Sequence, residues 1–114
     1  MKGIARLLAV CTLVALALVL STGARAADVA AGQQVFLDQK CNNCHAVSSA
    51  QIEAKMKGSS AGPDLAGIGA KKDAAWLKSF LEQKQDLDGK KHKAAFKGTP
   101  EQLDKIVEWL ASLK

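Results

Sequence analysis

The chain has 114 residues, 48% of them apolar, and carries 16 basic against 11 acidic residues for a formal net charge of +5. That length allows one domain and excludes a multidomain enzyme. Three of the basic residues, Lys2, Arg6 and Arg25, lie within the first 26 positions; beyond them every basic residue is Lys and the net charge falls to about +2, a chain without the Arg forks that usually read bases and phosphates, which argues against nucleic acid as a partner.

The first element is a leader. Lys2 and Arg6 give a positive start, Leu7 to Leu20 is an almost unbroken apolar run, and Ala24-Arg25-Ala26 fits a signal-peptidase site. Cleavage after Ala26 divides the chain into a signal peptide, 1–26, and a mature domain, 27–114. A retained anchor is the rival, but the run holds 14 residues where a spanning helix needs about 20. Cys11 lies inside that run behind Val10, which is not small, so a lipoprotein site is discounted. The expectation is export to the periplasm with no stable membrane insertion after cleavage. Cys41 and Cys44 are then the only thiols left, and in an oxidising compartment they should pair or be used. A disulfide between them would close a loop too small to staple a fold.

Asp28 to about Lys40 reads as a helix, with Asp28 as its cap and Val29, Gly32 and Phe36 on one face. Gly32 costs roughly 1 kcal/mol relative to Ala inside a helix; close approach by another helix would justify it, and a merely tolerated glycine is the bland alternative.

Residues 41–45 read Cys-Asn-Asn-Cys-His, the C-x-x-C-H of c-type haem attachment. Two thiols at this spacing add to two vinyl groups on one side of the macrocycle, and the histidine directly after them is pinned under the iron as proximal ligand. Two other chemistries use these residue types. A thioredoxin-like redox pair wants a βαβ setting, and this chain shows only helical patterns. A zinc site from Cys41, Cys44, His45 and His92 lacks the two separated couples usual in structural sites.

Ala46 to Gly69 reads as a long irregular stretch with a short helical piece near 51–56 and loop composition from Gly58 onward. So long a loop in a small domain is uncommon unless it wraps something. Lys72 to about Lys84 reads as a helix capped by Asp73, with Trp76, Leu77, Phe80 and Leu81 as its apolar face. Gln85 to Gly98 reads as a polar, Lys-rich loop. Thr99 to Leu113 is the clearest helix: Thr99 at the N-cap, Pro100 at the first position, Gln102 completing a capping box, and a stripe of Leu103, Ile106, Val107, Leu110 and Leu113 extended by Trp109. Nothing alternates with period 2, so no sheet is expected. With aromatics limited to Phe36, Trp76, Phe80, Phe96 and Trp109, a large apolar cofactor would supplement a modest core.

In this order the elements resemble the small class I, monohaem cytochromes c. Gly32 and Phe36 before CNNCH look like that family's first helix, Gly62-Pro63-Asp64-Leu65 like its Gly-Pro-x-Leu segment, and Trp109-Leu110 like the aromatic pair of its last helix. The resemblance implies an all-α cytochrome c fold, three to four helices around one covalent haem c. It implies that Gly32 and Phe36 meet Trp109 and Leu110, and that the Pro63 carbonyl accepts a hydrogen bond from the ring of His45. It also gives Trp76 a role at a buried haem propionate, with a plain core tryptophan as an equal alternative.

One departure concerns the sixth ligand, usually a Met before the last helix. The only Met of the mature chain, Met56, lies early; in the expected region stands His92, 47 residues after His45 and 17 before Trp109. His92 is favoured as the distal ligand over Met56, a neighbouring lysine, an open site, or a solvated histidine. Lys90, Lys91, Lys93 and Lys97 around it suggest a docking face for redox proteins, acidic ones in particular, although Asp86 and Asp88 lie close by and the lysines would equally solvate a loop. No paired carboxylates, nucleophile–base pair or phosphate loop is visible, so the reading is a soluble periplasmic electron carrier and not an enzyme. The alternatives are an open-site haem protein binding a small gas or peroxide, and the electron-accepting subunit of a periplasmic dehydrogenase.

Overall fold

The computed structural model describes residues 23 and 25–114. The apolar run of the expected leader and Ala24 lie outside them. Four α-helices occur among the described residues: α1 over 25–38, α2 at Ile68–Lys71, α3 at Ala74–Leu81 and α4 at Pro100–Ser112, joined by three 3₁₀ turns. No strand occurs among them; Val47 with Ile52 and Leu87 with Lys90 form isolated bridges. No described helix is long and apolar enough to cross a membrane.

The core forms where α1 crosses α4. At Gly32 an added Cβ would lie 2.6 Å from the Lys105 carbonyl and collide with the Trp109 side chain, so only glycine lets the two backbones approach this closely. One turn on, Phe36 (1% exposed) meets Trp109 edge to face at 5.4 Å. Burying such a ring contributes about 1.5–3 kcal/mol, and the aromatic pair about 0.5–1.5 more. Ile106, Val107 and Leu110 of α4 complete this core with Val35 and Leu77.

Two details of α1 depart from expectation. The helix is already formed at residue 25, so Asp28 does not cap it; its carboxylate accepts a hydrogen bond from Lys105 of α4 at 3.2 Å. Val29 is 43% exposed because α1 packs through its second half, where Val35 takes the buried place.

The connection from α1 to α2 is irregular but ordered. The helical piece expected near 51–56 is absent: a 3₁₀ turn at Ser48–Ala50 is followed by Gln51 at φ 56°, which reverses the chain so that Val47 and Ile52 exchange backbone hydrogen bonds and both become buried. Residues 68 and 69, read as loop, begin α2. Gly69 N–H donates to the Leu113 carbonyl at 2.7 Å, so this short turn is held by the end of α4 rather than by its own propensity.

Helix α3 starts at Ala74, not Lys72, which is extended; Asp73 caps it by accepting from the Trp76 N–H at 2.8 Å. It stops at Leu81 rather than Lys84 because Gln83 turns left-handed. Of its expected apolar face only Leu77 is fully buried; Trp76, Phe80 and Leu81 are half-buried. The stretch before α4 carries a two-residue turn, Asp88-Gly89, both at positive φ, closed by the Leu87–Lys90 bridge. Thr99 and Gln102 form the capping box of α4, at 3.2 and 2.9 Å.

Candidate functional site

The Cys41-to-His45 motif follows directly on α1. Lys40, at φ 59°, ends the helix, and a 3₁₀ turn over Cys41–Asn43 presents both thiols from the same tight turn. Both are free and half-buried. Four backbone hydrogen bonds then lash the following loop onto the motif: Lys55 N–H to Asn42 O, Met56 N–H to Asn43 O, Gly62 N–H to Cys44 O and Leu65 N–H to Ala46 O, all 2.7 to 2.9 Å. Asp64 secures the same loop by accepting from the Ser48 and Ala66 amides at 3.1 and 2.9 Å; the Ser48 side chain first, and then these amides, hold its carboxyl below the usual range. The long stretch between α1 and α2 therefore wraps the motif itself.

His45 and His92 come together although 47 positions apart: their ring centroids are 6.0 Å from one another and their planes 17° apart. Each ring is held by its Nδ1, His45 on the Pro63 carbonyl at 2.8 Å and His92 on the Ala94 carbonyl at 2.6 Å. A carbonyl oxygen can only accept, so Nδ1 carries a proton in both, and it is the neutral ring in this tautomer that keeps a lone pair on Nε2. Two metal–imidazole bonds of about 2 Å on opposite sides of one ion, with half a ring on each side, span about 6 Å. The centroid separation is compatible with both rings holding one ion, and each ring is anchored through its Nδ1. Burial is the largest influence on His45 and pushes its pKa below the ordinary value; the Pro63 carbonyl opposes this and the neighbouring His92 adds to it.

The remaining site residues surround this pair. Phe80 sits edge-on to His92 at 5.2 Å and stacks on Trp76 at 4.7 Å, and the Lys72 ammonium lies 4.3 Å from the Trp76 ring centre. Half-buried Trp76 and Phe80 leave apolar surface beside His92. Met56 is 46% exposed, and its sulfur lies 3.6 Å from that of Cys44. Lys91 donates to the Gln83 carbonyl at 2.9 Å, whereas Lys90, Lys93 and Lys97 donate no side-chain hydrogen bond among the described residues.

The geometry bears on the two rival chemistries. Burial pushes the Cys41 thiol up to about 11, opposite to the depressed pKa that an attacking redox cysteine needs. No three His, Cys, Asp or Glu side chains converge on a metal-sized site among the described residues, which counts against zinc held by Cys41, Cys44, His45 and His92.

The sequence reading gave no site role to three residues: Gly62, quoted only within the Gly-Pro-x-Leu segment, Phe80 and Gln83. Gly62 lies so close to His45 that an added Cβ would be 2.6 Å from its Nδ1. Phe80 was assigned to the core, and Gln83, in a polar run, donates to the His92 carbonyl at 2.8 Å. Only Gly62 carried a local signal, being glycine directly before proline. Comparison with curated proteins and with solved structures gave no match. A comparison with family models gave one: the model described as Cytochrome c matches residues 29–114.

Proposed function

The chain belongs to the cytochrome c family, and from that membership we propose that it is an exported, soluble carrier of single electrons with one haem held through Cys41, Cys44, His45 and His92. That it is a haem-based electron carrier follows from the family. The observation that carries the finer reading is the facing pair of imidazoles, each held by its Nδ1 with Nε2 unused.

Haem c in this site supplies a one-electron iron couple. The protein's part is to hold and shield it. Cys41 and Cys44 would hold it through two thioethers. His45 is the proximal ligand, with the Pro63 carbonyl fixing its tautomer and raising its basicity. His92 is the distal ligand, while Met56 is bonded through its amide to the motif. Trp76 and Phe80, stacked on one another beside His92, would shield it from water, and the indole N–H of Trp76 would serve a propionate. Two nitrogen ligands favour the ferric state more than a His–Met pair does, so the potential lies below that of Met-ligated relatives.

The leader over 1–26 is the basis for proposing export to the periplasm and cleavage after Ala26. Haem attachment is the direct test of the function. Haem remains with the polypeptide through acid–organic extraction of the wild type, and the double variant Cys41→Ala, Cys44→Ala loses all of it. Haem extracted from the wild type under those conditions overturns the assignment.

The partner surface proposed is the lysine face beside His92. Lys91 is bonded to the neutral Gln83 carbonyl and keeps its charge, so Lys90, Lys91, Lys93 and Lys97 all contribute to steering. Electron exchange with an acidic redox protein, followed by stopped flow, slows several-fold as ionic strength rises from about 0.01 to 0.1 M and the Debye length falls from about 30 to 10 Å. A rate independent of salt excludes this docking mode.

A further inference from the structure

We propose that Gln83 is a positioning residue that holds His92 opposite His45, an inference that rests on reading His92 as an axial ligand. Three observations meet at this residue. Gln83 ends α3 at φ 59°, a left-handed conformation that costs a non-glycine residue roughly 1 kcal/mol or more. Its side-chain amide donates to the His92 carbonyl at 2.8 Å in a half-buried setting. Its own carbonyl accepts from Lys91 at 2.9 Å, so the residue grips the chain on both sides of the peptide that leads into His92.

Glycine is the ordinary residue at a left-handed helix end, because it takes that conformation without strain. A glutamine there makes sense through what its side chain reaches. Only a long amide spans from the end of α3 to the backbone of the opposing segment. The rest of the helix end works to the same purpose: Phe80 lies edge-on against the His92 ring, and the Leu81 carbonyl accepts from Phe96 N–H at 3.0 Å, closing the far end of the segment. His92 is thus fixed through its ring by Phe80 and Ala94, and through its main chain by Gln83. Release of the ligand requires the segment to swing outward, and the Gln83 amide opposes that swing.

The experiment uses the ferric holoprotein, with cyanide as a probe that enters only when His92 leaves, and two variants, Gln83→Leu and Gln83→Gly. Both lose the amide, but the glycine relieves the backbone strain and should unfold no earlier than the wild type. Positioning predicts that both keep the low-spin spectrum and bind cyanide about two- to tenfold faster, the effect of losing one hydrogen bond. A purely structural helix end predicts faster binding only in the leucine variant. That result, or wild-type rates in both, overturns the proposal. His92→Ala is measured alongside. If its spectrum changes while the Gln83 variants match the wild type, the positioning role alone falls. If its spectrum matches the wild type, the ligation reading falls too, since Gln83 then has no ligand to position.

Discussion

Replacing His92 by Ala converts the low-spin ferric holoprotein to a high-spin one and lets the reduced protein bind carbon monoxide, which the wild type resists. The imidazole lies 6.0 Å from the ring of His45 and is tied down by Ala94, Gln83 and Phe80. Removing it leaves only poor substitutes. Met56 is bonded through its amide to Asn43, and its sulfur lies beside that of Cys44. Lys90 and Lys93 would have to lose a proton first, which is costly near neutral pH. The wild-type spectrum should also lack the band of Met–iron coordination. A variant with an unchanged spectrum and no carbon monoxide binding would move the sixth ligand elsewhere.

Gly62→Ala has the second large effect. Its Cβ would lie 2.6 Å from Nδ1 and 3.0 Å from Nε2 of His45, on a backbone already fixed by the bond from Gly62 N–H to Cys44 O at 2.7 Å. Either the ring turns away from Pro63 or the loop lifts from the motif. Overpacking of this kind costs about 1–3 kcal/mol, read as an earlier denaturant midpoint of the ferric holoprotein, and the spectrum shifts because the axial ring moves. Gly67→Ala is the control: its Cβ would meet nothing within 4 Å, and its stability should stay within about 0.5 kcal/mol of the wild type. Equal midpoints for the two variants would show that the ring can give way freely.

The helices were legible where side chains signal their own ends. Thr99, Pro100 and Gln102 mark the start of α4, and Asp73 the start of α3, because caps act over three residues of sequence. The all-α class followed from helical spacing with no alternation. What local patterns could not show was structure held from a distance. Helix α2 exists because Gly69 is bonded to Leu113, and the turn at 48–50 is stabilised by the burial of Val47 and Ile52. The Asp88-Gly89 turn was legible in principle, since Asp-Gly is a strong two-residue turn signal, but the lysines around it invited a reading as plain loop. The site divides the same way. Cys41, Cys44 and His45 are contiguous and carry their chemistry in their spacing. The proximity of His92 to His45 depends on the whole fold, and in sequence it could be approached only through the missing Met. Gln83 gave no sign at all, because its role depends on a left-handed backbone that the sequence EQKQ does not announce.

The crossing of α1 and α4 sets an order in time. Asp28 and Lys105 are 77 positions apart, and Gly32 finds its partner only in Trp109. A chain emerging from its amino end exposes the first helix long before the helix that packs against it exists. Throughout that interval neither α1 nor His92 can take up its final place. Closing so long a loop is a slow, late step compared with forming either helix. Docking of the last 15 residues therefore completes the core only once the rest of the chain is present.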